Sequence, residues 1–131
     1  MAATFKFELV SPERVVLLID ADEVILPGSE GQMGVLAGHA PVVSTLNPGV
    51  ITVVIGNNRR RVYVNGGFAE VRPDQVTVLA EQAQDVDQMS ASAIAAELER
   101  ARQALTEASG DEAVRIANEA VTVLSGLKPE R

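Results

Sequence analysis

From Leu26 to Gly49 the chain reads LPGSEGQMGVLAGHAPVVSTLNPG, and eight of these residues are glycine or proline. Proline fixes its own φ and donates no backbone N–H, while glycine reaches positive φ values that other residues avoid. No continuous helix survives that density. Pro27, Gly28, Gly31, Gly34, Gly38, Pro41, Pro48 and Gly49 instead punctuate short apolar pieces, Val35-Leu36 and Val42-Val43. The block requires tightly specified turns and short extended segments.

The flanking sequence agrees. Phe5, Phe7 and Leu9 alternate with Lys6 and Glu8, the period of a half-buried strand. Further β-rich runs lie at 15–19 (VVLLI), 23–26 (EVIL), 50–55 (VITVVI), 61–64 (RVYV), 68–71 (FAEV) and 75–80 (QVTVLA). Turn signals at Ser11-Pro12, Gly56-Asn57-Asn58, Gly66-Gly67 and Pro73-Asp74 separate them. Asn57-Asn58 reads as a hairpin turn, because asparagine tolerates positive φ. Many short strands at this spacing predict a β-sandwich or a flattened barrel.

After Gln84 the period changes. Ile94, Leu98, Ala101 and Leu105 share one helical face, with Glu97, Glu99, Arg100 and Arg102 mostly outside it. Ser109 followed by Glu112 has the spacing of a capping box, opening a second helix. That helix carries Val114, Ala117, Val121 and Leu124 as one stripe and Ile116, Ala120, Val123 and Leu127 as its neighbour. The expected fold is α+β: an N-terminal antiparallel β-sandwich over 1–84, then a C-terminal two-helix antiparallel hairpin over 85–131. The hairpin's facing positions are rich in alanine, which favours helix but buries little area.

Composition narrows the function. A net charge of −7 disfavours nucleic acid, since there is little counterion release to gain, and disfavours direct contact with an anionic membrane. With no cysteine, disulfides and thiolate chemistry are excluded. Uninterrupted apolar runs such as Val15–Ile19 are too short to span a bilayer, so no membrane insertion is expected. MAATFKFELV has neither a signal-peptide core nor a transit-peptide composition.

Catalytic machinery is hard to find. His39 is the one imidazole, within G-H-A-P, and a single histidine without cysteine does not meet the usual zinc ligand sets. Asp20, Asp22 and Glu23 form an acidic cluster whose alternation leaves them as solvated positions on a strand. There is no Gly-Lys pair, and so no phosphate-binding loop of the Walker type. Arg59-Arg60-Arg61 is the one basic run and reads as a solvated hairpin tip. Neither a catalytic residue nor a metal or cofactor is expected.

The phrases P-G-S-E-G, G-x-L-A-G-H-A-P and L-x-P-G, in this order, resemble the epsilon subunit of bacterial F-type ATP synthases (delta in mitochondria). The resemblance implies a non-catalytic subunit of the central stalk, coupling the c-ring and gamma rotor to the catalytic head. It implies a sandwich that clamps the gamma subunit and rests on the c-ring, peripheral to the cytoplasmic side of a bacterial plasma membrane. By similarity Glu30 and Gln32 face the c-ring, while His39 and Ser44 face gamma. The hairpin would extend toward the alpha and beta subunits to obstruct ATP hydrolysis, with Arg100, Arg102 and Arg115 as inhibitory contacts. Some family members bind ATP through [I/L]-D-x-x-R-A. Here Val86-Asp87-Gln88-Met89-Ser90-Ala91 keeps Asp87 as a nucleotide-binding candidate, but Ser90 replaces the arginine. A serine cannot supply a guanidinium's charge-assisted contacts, so ATP binding is expected to be weak or absent, with Asp87 serving equally well as a helix N-cap. The alternative reading is a β-sandwich nucleotide or metal sensor with a mobile hairpin.

Overall fold

A computed structural model describes residues 3–128. Its strands are β1 (Phe5–Ser11), β2 (Arg14–Ala21), β3 (Glu23–Gly28), β4 (Gly31–Leu36), β5 (Val42–Thr45), β6 (Gly49–Ile55), β7 (Asn58–Val71) and β8 (Gln75–Asp85). A 3-10 turn at Val86–Gln88 leads to α1 (Ala91–Glu107) and α2 (Asp111–Ser125). The glycine-rich block is thus not turns alone. It holds β4 and β5, which glycine and short apolar pairs left without a clear period.

The strands form a sandwich because β7 and β8 belong to both layers. Residues 58–64 of β7 pair with β6, whereas residues 68–71 pair with β5. One layer therefore runs β5-β7-β8-β1-β2 and the other β8-β7-β6-β3-β4. The β1–β8 pair is parallel and all other pairs are antiparallel. Gly66-Gly67, expected as a turn, lies inside β7 where it passes from one layer to the other. Gly67 has φ of 131°, and a Cβ there would stand 2.0 Å from the Leu79 carbonyl oxygen. Only glycine permits that approach.

The β6–β7 hairpin also differs by one residue from expectation. Ile55 pairs with Asn58, so Gly56-Asn57 make the turn, with positive φ at Gly56. Glycine at the first central position is what a II′ turn demands. Asp22 Oδ2 accepts the Gly56 N–H at 2.6 Å, which gives one carboxylate of the acidic cluster a structural task.

Alternation fills the space between the layers. Phe7, Leu9, Val24, Leu26, Ile51, Val53, Val64 and Val78 are all fully buried in one cluster. Val62, Tyr63 and Val64 are buried consecutively, which a simple sandwich strand cannot do. The two valines face the sandwich core, while Tyr63 faces outward into a second cluster with Val86, Met89, Ile94, Ala101, Ala120 and Leu124. The helical hairpin is therefore packed on the outer face of the β6–β7 layer.

Both helix starts correct the sequence reading. Ser90, not Asp87, caps α1, its hydroxyl accepting the Ala93 N–H at 3.1 Å. Gly110, with φ of 94°, occupies the N-cap of α2 without a side-chain hydrogen bond, so Ser109 forms no capping box. Asp111 and Glu112 in the first turn of α2 complement the positive end of the helix dipole instead.

Candidate functional site: two exposed faces and the seam beneath the hairpin

The seam between hairpin and sandwich is the most polar buried region among the described residues. Across the outer face of one layer, Val50, Tyr63 and Gln84 form a single row, Val50 and Gln84 each pairing with Tyr63. Gln84 Nε2 donates to Glu97 Oε1 at 2.8 Å, tying β8 to α1. Glu97, expected outside the apolar face, is only 4% exposed and also accepts from Arg100. A buried carboxylate is tolerable because two donors reach it. The Tyr63 hydroxyl fares differently. It is buried with no hydrogen-bond partner. Burial, and after it the negative charge of Glu97, push this phenol up to about 12.

A cleft of about 600 Å³ opens along this seam, lined by Asn65, Gln82, Glu97 and Arg100 and by alanines of both helices. A second tie crosses from α2. Arg115 Nη1 donates to Asn47 Oδ1 at 3.3 Å, and Asn47 Nδ2 donates to the Gly28 carbonyl at 3.3 Å. Glu112 also holds Arg115 through two bonds, at 2.7 and 3.1 Å, and its own carboxyl is held below the usual range by that guanidinium.

The residues singled out from the sequence fall into separate places. Glu30, Gln32 and Ser44 line one cleft of about 610 Å³ between the β3–β4 turn and β5. His39 lies elsewhere, in the loop whose Gly38 N–H bonds the Pro73 carbonyl at 2.7 Å. Its Nδ1 donates to the Ala40 carbonyl at 2.7 Å. Arg100 stands at the seam, Arg102 is exposed on α1, and Arg115 is occupied by Glu112 and Asn47. Asp87 receives Arg61 at 3.1 Å, and Asp85 receives Arg60 at 3.1 Å. Two residues of the basic run therefore brace the exit from β8. Asp20 is exposed and Glu23 half-buried, and no group of three or more metal-ligating side chains gathers among the described residues.

Sequence reasoning missed the face opposite the hairpin. Across the outer side of the β5-β7-β8-β1-β2 layer, register aligns Thr45, Phe68, Leu79, Val10 and Val15 in one row. Phe68 is 41% exposed, Leu79 43% and Val15 54%. The alternate residues Ala69, Val78 and Leu9 are core, so this row points outward with nothing over it. An uncovered apolar strip spanning a whole sheet marks an interaction surface.

Fold and motifs together meet a family model, the beta-sandwich domain of the ATP synthase delta/epsilon chain, over residues 4–86. The chain belongs to that family. It is 47% identical over 113 residues to an ATP synthase epsilon chain of Brucella anthropi, covering 86% of this chain and 84% of that one. A second epsilon chain, from Parvibaculum lavamentivorans, is 44% identical over 129 residues, 98% of each. Among solved structures, a chain of the Euglena gracilis mitochondrial ATP synthase (OSCP/F1/c-ring) superposes with a TM-score of 0.72 at 30% identity. That match covers 97% of this chain and 81% of the other. A chain of the Tetrahymena thermophila central stalk and c-ring shares the fold, at 13% identity and a TM-score of 0.59. The family and these relatives make the protein an ATP synthase subunit of the epsilon-chain type. Among the described residues, no helix is long and apolar enough to cross a membrane.

Proposed function

We propose that this subunit acts entirely through docking, with no chemistry of its own. The outer face of the β5-β7-β8-β1-β2 layer seats the gamma subunit. The Glu30–Gln32 turn meets the c-ring, and the hairpin is a movable element that reaches the alpha and beta subunits when released. The observation that carries this reading is the uncovered row Phe68–Leu79–Val10–Val15, placed on the side away from the hairpin. A partner can occupy that face whichever position the hairpin takes. His39, just ahead of β5, would border the gamma contact, whereas Ser44 is in register with core Ala69 and opens onto the cleft of Glu30 and Gln32. The chain then sits peripherally on the cytoplasmic side of a bacterial plasma membrane, held there by its partners.

The hairpin's docking is thin enough to be reversible. Alanine supplies much of its buried side, and the ties to the sandwich are few: Gln84 to Glu97 and Asn47 to Arg115. Inverting a 1:99 preference to 99:1 takes differential binding of about 5.5 kcal/mol, within reach of a modest contact set. Arg115 would then be freed with the helix for contact with an acidic segment, as would Arg100 and Arg102. ATP plays no part in this scheme. Ser90 is used as a helix cap where a nucleotide-binding arginine would be needed, and Asp87 is engaged by Arg61.

Co-purification tests the docking reading. Gamma and the catalytic subunits should accompany the tagged chain, and Phe68→Asp should abolish capture of gamma while leaving the sandwich folded. Capture undiminished by that charge would move gamma off this face. Deleting the hairpin should raise ATP hydrolysis by the complex, and unchanged hydrolysis would remove the inhibitory role. Calorimetric titration should detect no ATP binding; micromolar affinity would overturn that part.

A further inference from the structure

The apolar row is bordered by carboxylates on both sides. On one side the next cross-strand row reads Val43, Glu70, Thr77, Glu8 and Leu18. Glu70 is held by Arg72 at 3.1 Å, but Glu8 forms no ion pair among the described residues. Glu8 is half-buried between Thr77 and Leu18, its neighbours across the strands. On the other side of the row, two residues beyond Leu79 in β8, lies Glu81. Its carboxylate rests over Gly66, where a Cβ would come within 2.6 Å of Oε1. Glu81 is exposed and also lacks an ion pair among the described residues. Residues two apart in a strand are separated by about 6.5–7 Å, so the strip carries an unneutralised negative charge about one side chain's reach to either side.

We infer that these carboxylates read a partner surface of matching pattern: an apolar ridge bordered on both sides by lysine or arginine. The inference rests on the proposed seating of gamma here and adds the chemistry of the contact. Within it, the two kinds of residue have different tasks. Phe68 and Leu79 lose water on docking and hold the complex together. Glu8 and Glu81 stand at the rim, where charges guide encounter and fix orientation rather than lend affinity. The acidic balance of the whole chain, −7, reinforces the preference for a basic approach. Cations on the same face are Lys6, across from Asp20 and two residues along from Glu8, and Arg72, already engaged by Glu70. On the Glu81 side, exposed Arg14 lines a shallow cleft with Glu81 but forms no ion pair with it.

Association of the full chain with purified gamma from the same complex, followed by surface plasmon resonance over a range of salt, tests this. The double variant Glu8→Lys with Glu81→Lys should associate at least tenfold more slowly at low salt, with the wild-type salt dependence flattened or reversed. Its dissociation should change by less than twofold. Leu79→Ala should show the complementary pattern, faster dissociation with unchanged association. The isosteric pair Glu8→Gln with Glu81→Gln gives the same direction at smaller size and guards against misfolding of the charge-reversed chain. Unchanged association rate and salt slope in both double variants, with Leu79→Ala still weakening the complex, would overturn the charge pattern and leave the docking face standing. No complex with the wild-type chain would overturn both.

Discussion

Tyr63 makes the docked hairpin directly measurable. It is the single tyrosine of a chain without tryptophan, so the ultraviolet signal of phenolate formation belongs to one residue at one place. Free tyrosine ionises near pH 10. Beneath α1 and α2 the Tyr63 side chain is 1% exposed, and its phenol is raised to about 12, chiefly by desolvation and secondly by the Glu97 charge. At pH 11 a free phenol is about nine-tenths ionised, whereas this one should be about one-tenth ionised. The sign of the linked stability follows. The folded-state value lies above the unfolded one, so the full contribution is present below about pH 10. It is lost as pH rises through about 12, since the unfolded chain releases its proton first. At about 1.4 kcal/mol for each tenfold, roughly 2–3 kcal/mol disappears across that window. Spectrophotometric titration of the folded protein, with far-ultraviolet circular dichroism recorded alongside, is the assay. A midpoint near 10 in a protein still fully folded would mean that the phenol meets water, and that the hairpin does not rest on Tyr63 in solution.

Other perturbations test the same seam and the sandwich beneath it. Tyr63→Phe removes a buried hydroxyl that has no partner, so it should stabilise the protein by about 1 kcal/mol in urea denaturation; a loss of stability would mean that the hydroxyl is hydrogen-bonded in solution. Glu97→Ala strips Gln84 of its acceptor, and hydrogen exchange across 91–125 should accelerate by about tenfold or more while β1 to β6 keep their protection. Gly67→Ala drives a methyl into the Leu79 carbonyl and should cost more than about 2 kcal/mol in thermal or urea unfolding, far beyond the usual loss for glycine replacement in a strand. Asp22→Ala leaves the Gly56 N–H without its acceptor at an exposed turn, and unfolding should shift by about 1 kcal/mol or less.

What the sequence determined by itself was local in origin. Alternation at Phe5, Phe7 and Leu9, the apolar runs that follow, and the change of period after Gln84 stated the β-then-α order before any contact was known. Glycine, proline and histidine at fixed intervals carried the family, because backbone conformation there depends on residue type more than on surroundings. The positions of Glu30, Gln32 and Ser44 around one cleft were not readable, since they depend on how β5 meets the β3–β4 turn. Nor was the role of Gly66-Gly67. The same pair can end a strand or bend it, and pairing with β6 on one stretch and β5 on the other made it a bend. Glu97 looked solvent-facing because helical periodicity describes one partner surface, whereas α1 has two, the sister helix and the sheet bearing Gln84. Phe68, Leu79, Val10 and Val15 come from four separate strands, and register alone makes them neighbours. One-dimensional spacing fixes which elements form; only their association decides which side chains remain uncovered, and docking is written in those.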